Sequence, residues 1–170
     1  MIDLALFENW IQQHLFTCAR LDEPMLLTQI NSDAGFRLYF RINSKPTLIA
    51  VLSPPSNENN TSFVRLSQCF RKHHVRAPIV HAVDYTSGFL LLEDFGLTKF
   101  SIILKNNKNK KLYYYKKAID ALIRLSKQKP PSFLKPYDKK AYIKELNIFI
   151  VWHLKYKKNN KGINEWNLIW

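Results

Sequence analysis

Residues Gly88 to Gly96 read Gly-Phe-Leu-Leu-Leu-Glu-Asp-Phe-Gly, and their chemistry lies where the apolar run stops. Phe89 to Leu92 are bounded by Gly88 on one side and by Glu93, Asp94 and Gly96 on the other, the pattern of a buried strand that ends at a crevice. Backbone N–H and C=O groups just beyond such a strand have left their ladder and lack partners. They are free to bond the edge of a planar base, so nucleotide binding at Glu93, Asp94 and Phe95 is the first function suggested, with an ordinary core strand as the plain alternative. A second candidate is Ser32-Asp33-Ala34-Gly35-Phe36-Arg37-Leu38-Tyr39-Phe40-Arg41. Small residues at Ser32, Asp33, Ala34 and Gly35 let backbone N–H groups approach phosphate oxygens. Arg37 and Arg41 alternate with Phe36, Leu38 and Phe40, which suits either the holding of anionic oxygen or a solvated strand face.

The elements that must position these residues follow from periodicity. Leu4, Phe7, Trp10, Ile11, His14 and Leu15 recur at helical spacing and predict a helix over Asp3–Cys18. Leu26–Ile30, Phe36–Ile42 and Thr47–Leu52 read as three strands, and strands this close in sequence pair most simply antiparallel. Pro54-Pro55 ends the third. A helix with Phe63, Leu66 and Phe70 on one face follows, with Thr61 or Ser62 available as N-cap. Ile79–Val83 and Phe89–Leu92 complete five strands around one helix. After Gly96 the pattern is helical: a short segment over Thr98–Leu104, a solvated linker over Lys105–Lys111, then helices over Leu112–Gln128 and about Lys139–Lys157.

Composition narrows the class. A 170-residue chain that is 46% hydrophobic and 14% aromatic folds despite a formal charge of +13. No apolar run approaches the ~20 residues of a membrane span, and acids stand where a secretory signal would carry Lys or Arg. A cytoplasmic protein with no membrane partner is expected. Cys18 and Cys69 are too far apart in sequence to suggest a disulfide framework or a zinc site, so reduced, partly buried thiols are expected. Lys and Arg outnumber acids 26 to 13, with the surplus in Lys105 to Lys117 and Lys155 to Lys161. Basic tracts with interleaved Tyr can follow a nucleic-acid backbone, yet such tracts are more often solvated faces, and nucleic acid is the less favoured partner.

The order of motifs is more specific than any one of them. Ser32 to Arg41 resembles the G-D-A-S-x-R-x-Y-x-R signature of one branch of the aminoglycoside-phosphotransferase superfamily, the branch of the N-acetylmuramate and N-acetylglucosamine kinases of cell-wall recycling. Ala50-Val51-Leu52-Ser53-Pro54-Pro55 is similar to that branch's strand ending in M-D-A-P-P. Phe63, Ala77-Pro78-Ile79-Val80, the Gly88 stretch, Tyr137-Asp138 and Glu145-Leu146-Asn147-Ile148-Phe149-Ile150-Val151-Trp152 follow in the branch's own order. The resemblance covers roughly residues 4 to 157. It implies an α+β, protein-kinase-like fold: a five-stranded antiparallel small lobe with its hinge over 1–96, then the first helices of an incomplete helical lobe over 97–170. It further implies ATP as the nucleotide, bound at Ser32, Asp33, Ala34, Gly35, Arg37, Glu93, Asp94 and Phe95, and transfer of its γ-phosphate to the anomeric hydroxyl of an amino sugar.

Departures from the pattern matter as much. Ser32 replaces the branch's Gly and Gly35 its Ser, which moves the flexible point of the loop. Leu52 stands where the branch has Asp. Asp94-Phe95-Gly96 reads like a metal-binding D-F-G, but it follows the hinge strand with only the small lobe before it, so the match is read as coincidence. Phosphoryl transfer needs a carboxylate for the acceptor hydroxyl and an Asn and an Asp for Mg²⁺. In this branch they come from an H-x-D-x-x-x-x-N loop and a following Asp. None of His14, His73, His74, His81 and His153 has Asp at the second position after it, so no catalytic and no metal-binding residue is assigned. The expectation is therefore the N-terminal fragment of an ATP-dependent sugar kinase, nucleotide side retained and inactive alone, with Mg²⁺ and the amino-sugar acceptor entering only if the missing lobe is supplied. The alternatives are a basic pseudokinase-type binding module or a non-functional gene remnant. Trp166 and Trp170, beside Leu168 and Ile169, suggest a protein partner at the C-terminal end.

Overall fold

The computed structural model describes residues 4–30, 35–154 and 164–165. Two compact units divide the chain, Met1–Lys129 and Pro130–Trp170.

In the first unit, α1 (Leu4–Leu15) places Phe7, Ile11 and Leu15 one turn apart, and all three are fully buried. Five strands follow: β1 (Leu27–Ile30), β2 (Leu38–Ile42), β3 (Leu48–Leu52), β4 (Val80–Asp84) and β5 (Phe89–Glu93). They form one antiparallel sheet in the order β1-β2-β3-β5-β4, with α2 (Asn60–Lys72) inserted between β3 and β4. The register sets Arg41 opposite Ile49 and Ile49 opposite Leu92, a single row across three strands. The β4–β5 ladder shifts register between Val80 and Ala82, a bulge of the kind found at sheet edges.

Alternation along the strands divides the core in two. One face carries Ile42, Leu48, Ala50, Leu52, Phe89 and Leu91 and is covered by α1. Phe7 sits there with ring centroids 4.9 Å from Phe89 and 5.9 Å from Phe40. The other face carries Ile49, Val51, Leu90 and Leu92, and Val64 and Phe63 of α2 pack against it. β3 and β5 are thus apolar on both sides, which is why Leu48 to Leu52 and Phe89 to Leu92 read as unbroken apolar runs. The sheet has a helix on each face, α1 and α2, in the order helix, three strands, helix, two strands that the periodicity predicts.

The N-cap of α2 is Asn59, whose side chain accepts from the Ser62 N–H at 2.9 Å; neither Thr61 nor Ser62 fills that role. Gly88 closes the β4–β5 hairpin at φ +75°, and a Cβ there would lie 2.1 Å from the Ser53 carbonyl oxygen. Asp84 supports the same turn, accepting from the Thr86 and Ser87 N–H groups at 2.8 and 3.1 Å. Beyond β5 come α3 (Phe100–Asn106), one 3₁₀ turn at Lys108–Lys110 inside the expected linker, and α4 (Lys111–Ser126). Cys18 and Cys69 are free and half-buried; burial pushes the Cys18 thiol up, against a smaller opposing effect of Thr17.

The second unit contains α5 (Lys139–Phe149), N-capped by the Asp138 carboxylate, which accepts from the Ala141 N–H at 2.9 Å. Its last turns widen to a π-helical segment over Ile150–Leu154, and the remainder of the helix expected to Lys157 lies outside the described residues. Among the described residues no helix is long and apolar enough to cross a membrane. The architecture is α+β, with a five-stranded antiparallel sheet and five α-helices among the described residues.

Candidate functional site

Helix α2 covers only part of its face of the sheet. Beside it lies a cleft of about 490 Å³ whose apolar wall is built from Ile30, Tyr39, Ile49, Phe63 and Leu92, and whose rim is the exit strand from Glu93 to Lys99. The wall is mostly hydrocarbon and the rim polar, the usual division of labour in a small-molecule site. Each lining strand contributes through its alternation: Tyr39 and Arg41 point into the cleft while Phe40 and Ile42 of the same strand pack toward α1.

At the rim, Arg41 holds Asp94 in a two-pronged ion pair. Nε donates to Oδ2 at 2.7 Å and Nη2 to Oδ1 at 3.0 Å, the bidentate geometry that makes arginine–carboxylate contacts strong. Nη2 also donates to the Gly96 carbonyl at 3.2 Å, and the Gly96 N–H returns to Asp94 Oδ1 at 2.8 Å. The Asp94 side chain is 3% exposed and that of Arg41 24%. The Arg41 guanidinium, with the Gly96 N–H and Thr47, outweighs burial and holds the Asp94 carboxyl below its ordinary range. Asp94 raises Arg41 in return. Both oxygens of Asp94 are therefore occupied by protein donors. Among the described residues no three His, Cys, Asp or Glu side chains converge on a possible metal position.

Glu93 is fastened from the other side. Its carboxylate accepts from Arg76 at 3.0 Å, from Arg71 at 3.4 Å and from the Ile79 N–H at 3.1 Å, while its own N–H donates to the Ile79 carbonyl at 2.8 Å. Directly after these two anchored acids comes Phe95, half exposed, with the Arg76 guanidinium 4.8 Å from its ring centroid. The backbone N–H and C=O of Phe95 have no hydrogen-bond partner among the described residues.

Ser32, Asp33 and Ala34 lie outside the described residues. Gly35 begins the described stem at φ +108°. The next two residues are tied to Glu58: the Phe36 N–H donates to Oε1 at 3.2 Å, and Arg37 Nη2 meets Oε2 at 2.9 Å. Arg37 Nε donates to Ser53 Oγ at 3.1 Å, and its guanidinium lies 5.1 Å from the Phe63 ring centroid. Arg37 and Arg41 thus each face a carboxylate on the cleft side of the sheet.

Ser53 is the hub of this second cluster and is fully buried. Its Oγ donates to Asn60 Oδ1, its carbonyl accepts from Asn60 Nδ2 at 2.8 Å, and its N–H donates to the Gly88 carbonyl at 2.8 Å. One serine therefore joins the loop stem, the start of α2 and the β4–β5 turn. Leu52, at the position where the resembling branch has Asp, is buried on the α1 side, and the polar connection is made one residue later. Ser53, Glu58 and Asn60 are not readable as a unit from local spacing, since the fold alone brings them together with Arg37. The one available signal was burial of a serine between an apolar strand and Pro54-Pro55.

No family model matches the chain. It is 32% identical over 129 residues to an N-acetylmuramate/N-acetylglucosamine kinase of Pseudomonas putida, a match covering 75% of this chain and 38% of that protein. A protein of the same name from Pseudomonas aeruginosa is 33% identical over 132 residues, covering 77% and 38%. Another from Neisseria meningitidis is 27% identical over 149 residues, covering 85% and 42%. The chain spans about 40% of the length of the curated relatives it matches.

Proposed function

We propose, from the premise that this chain is a relative of the N-acetylmuramate/N-acetylglucosamine kinases, that it is the nucleotide-binding portion of an ATP-dependent amino-sugar kinase with a kinase-like small lobe over residues 1–96. The observation that carries this reading is the half-covered inner face of the sheet. Ile30, Ile49 and Leu92 offer a flat apolar bed, and unpartnered backbone at Phe95 borders it. A purine needs both features: apolar faces above or below the ring and fixed donors and acceptors along its edge. Glu93 and Asp94 act through their backbone and as anchors, because their carboxylates are already bonded. On this reading the Ser32 to Gly35 motif serves the phosphates, with Arg37 two residues after it in sequence.

Phosphoryl transfer itself requires an acceptor-side carboxylate and Mg²⁺ ligands. The described side chains do not form a fit for the metal: both Asp94 oxygens and the Glu93 carboxylate are engaged by protein donors, and no three potential ligands converge among the described residues. The chain by itself is therefore read as binding nucleotide without turning it over, the residues from 97 onward being the first helices of a second lobe.

Thermal unfolding with and without Mg·ATP tests this. Ligand at 100 times its dissociation constant adds about 2.7 kcal/mol to the folded state, which for a domain of this size raises Tm by several degrees. Absence of any shift at millimolar ATP would refute the reading. A second reading, a binding module for another polypeptide, is favoured by α4, where Leu112, Ile119 and Leu122 are exposed along one helix.

A further inference from the structure

We propose that the Arg41–Asp94 pair is the positioning device of the cleft: it fixes the exit strand so that the backbone of Phe95 faces a bound base, and Arg41 is not a phosphate ligand. This rests on the nucleotide reading above and goes beyond it. Arg41 and Leu92 flank Ile49 in one row across the cleft face. From β2, the guanidinium reaches across that row to the far rim and bonds both Asp94 and the Gly96 carbonyl, while the Gly96 N–H closes on the same carboxylate. Residues 94 to 96 are thereby held as a closed turn with Phe95 at its apex, and the Phe95 backbone has no partner among the described residues.

A base gains most from donors and acceptors already fixed in place, because ordering a mobile strand on binding weakens affinity. Among the described residues the Gly96 N–H and C=O are bonded through the clamp alone. Arg41 is committed through Nε and Nη2 to acceptors at the rim, and its partner Asp94 is buried. Turning the guanidinium toward a phosphate would strand that carboxylate without its cation.

The test measures Kd for adenosine, ATP and inorganic tripolyphosphate by calorimetry on the full chain and on Arg41→Met, Arg41→Lys, Asp94→Asn and the Arg41→Met/Asp94→Asn double variant. Each is assayed well below its own unfolding midpoint, so that a loss of stability alone leaves Kd unchanged. Positioning predicts that Arg41→Met and Asp94→Asn each weaken adenosine by on the order of 10- to 100-fold, the scale of losing a supporting partner. The double variant should be no weaker than the poorer single one. Arg41→Lys should recover little, because an ammonium cannot make the two-pronged contact, and tripolyphosphate should bind all five proteins alike. Loss of tripolyphosphate in the two Arg41 variants with adenosine unchanged would overturn the proposal and make Arg41 a phosphate ligand. Unchanged adenosine affinity in all four variants, with the wild type binding ATP, would overturn the positioning role while leaving the nucleotide reading intact. A wild-type chain that binds neither adenosine nor ATP would remove both.

Discussion

Gly88 and Gly96 provide a matched pair for testing how the β4–β5 hairpin is held. Both adopt left-handed backbone, φ +75° and +79°, but a Cβ at Gly88 would stand 2.1 Å from the Ser53 carbonyl oxygen and 2.9 Å from Pro55, whereas a Cβ at Gly96 meets nothing within 4 Å. Alanine at either position incurs the left-handed penalty of roughly 1–2 kcal/mol. Gly88→Ala must also separate two backbone segments joined by the Ser53 N–H to Gly88 carbonyl bond of 2.8 Å. Overpacking costs about 1–3 kcal/mol and the lost hydrogen bond about 1 kcal/mol. The expected destabilisation is about 3–6 kcal/mol for Gly88→Ala and about 1–2 kcal/mol for Gly96→Ala. Urea titration followed by tryptophan fluorescence reads both, with midpoints compared at equal m. Losses equal within about 0.5 kcal/mol would refute the reasoning, because the backbone penalty alone would then account for Gly88 and the contact with Ser53 would cost nothing.

Two further outcomes follow from the core and the rim. Phe7→Ala removes a fully buried ring packed on Phe40 and Phe89 and is expected to cost about 3–5 kcal/mol in the same titration; a loss under 1 kcal/mol would mean that α1 does not seal its face of the sheet. Folding lowers the Asp94 carboxyl, chiefly through Arg41, so the folded state binds fewer protons than the unfolded chain. The stability this gives is complete above the ordinary carboxylate value of about 3.9 and is lost as pH falls through the lower folded value. Urea midpoints from pH 7 down to pH 3 should fall more steeply for the wild type than for Arg41→Met, and parallel curves would show that Arg41 is not the cause.

Much of the scaffold was legible because burial leaves a period. The apolar runs of β3 and β5 and the Phe7, Ile11, Leu15 spacing of α1 each announce an element without help from the rest of the chain. Element ends were less so. Asn59 caps α2 although Thr61 and Ser62 are equally good cap residues, because the turn after Pro54-Pro55 already sets where the helix starts; the Asn57 and Glu58 N–H groups both donate to the Pro54 carbonyl. The site was legible only as a set of exposed-looking polar residues. That Arg41 meets Asp94, or that Arg37 meets Glu58, depends on strand register and on the path of α2, and no local spacing encodes either. The empty half of the inner face is a further step removed, since it is defined by where α2 does not reach.

The strand order β1-β2-β3-β5-β4 has a consequence for how the cleft comes into being. β5 is an interior strand, yet its pairing with β3 brings together segments separated in sequence by α2, β4 and the turn at Gly88. Contacts of this separation carry the loop-closure cost of folding and are gained late relative to local hairpins such as β1–β2 and β2–β3. The exit strand that borders the cleft is the continuation of this late-joining strand. Leu92 and the exit strand line the cleft, so the ligand site depends on the pairing in this sheet that joins the segments most distant in sequence.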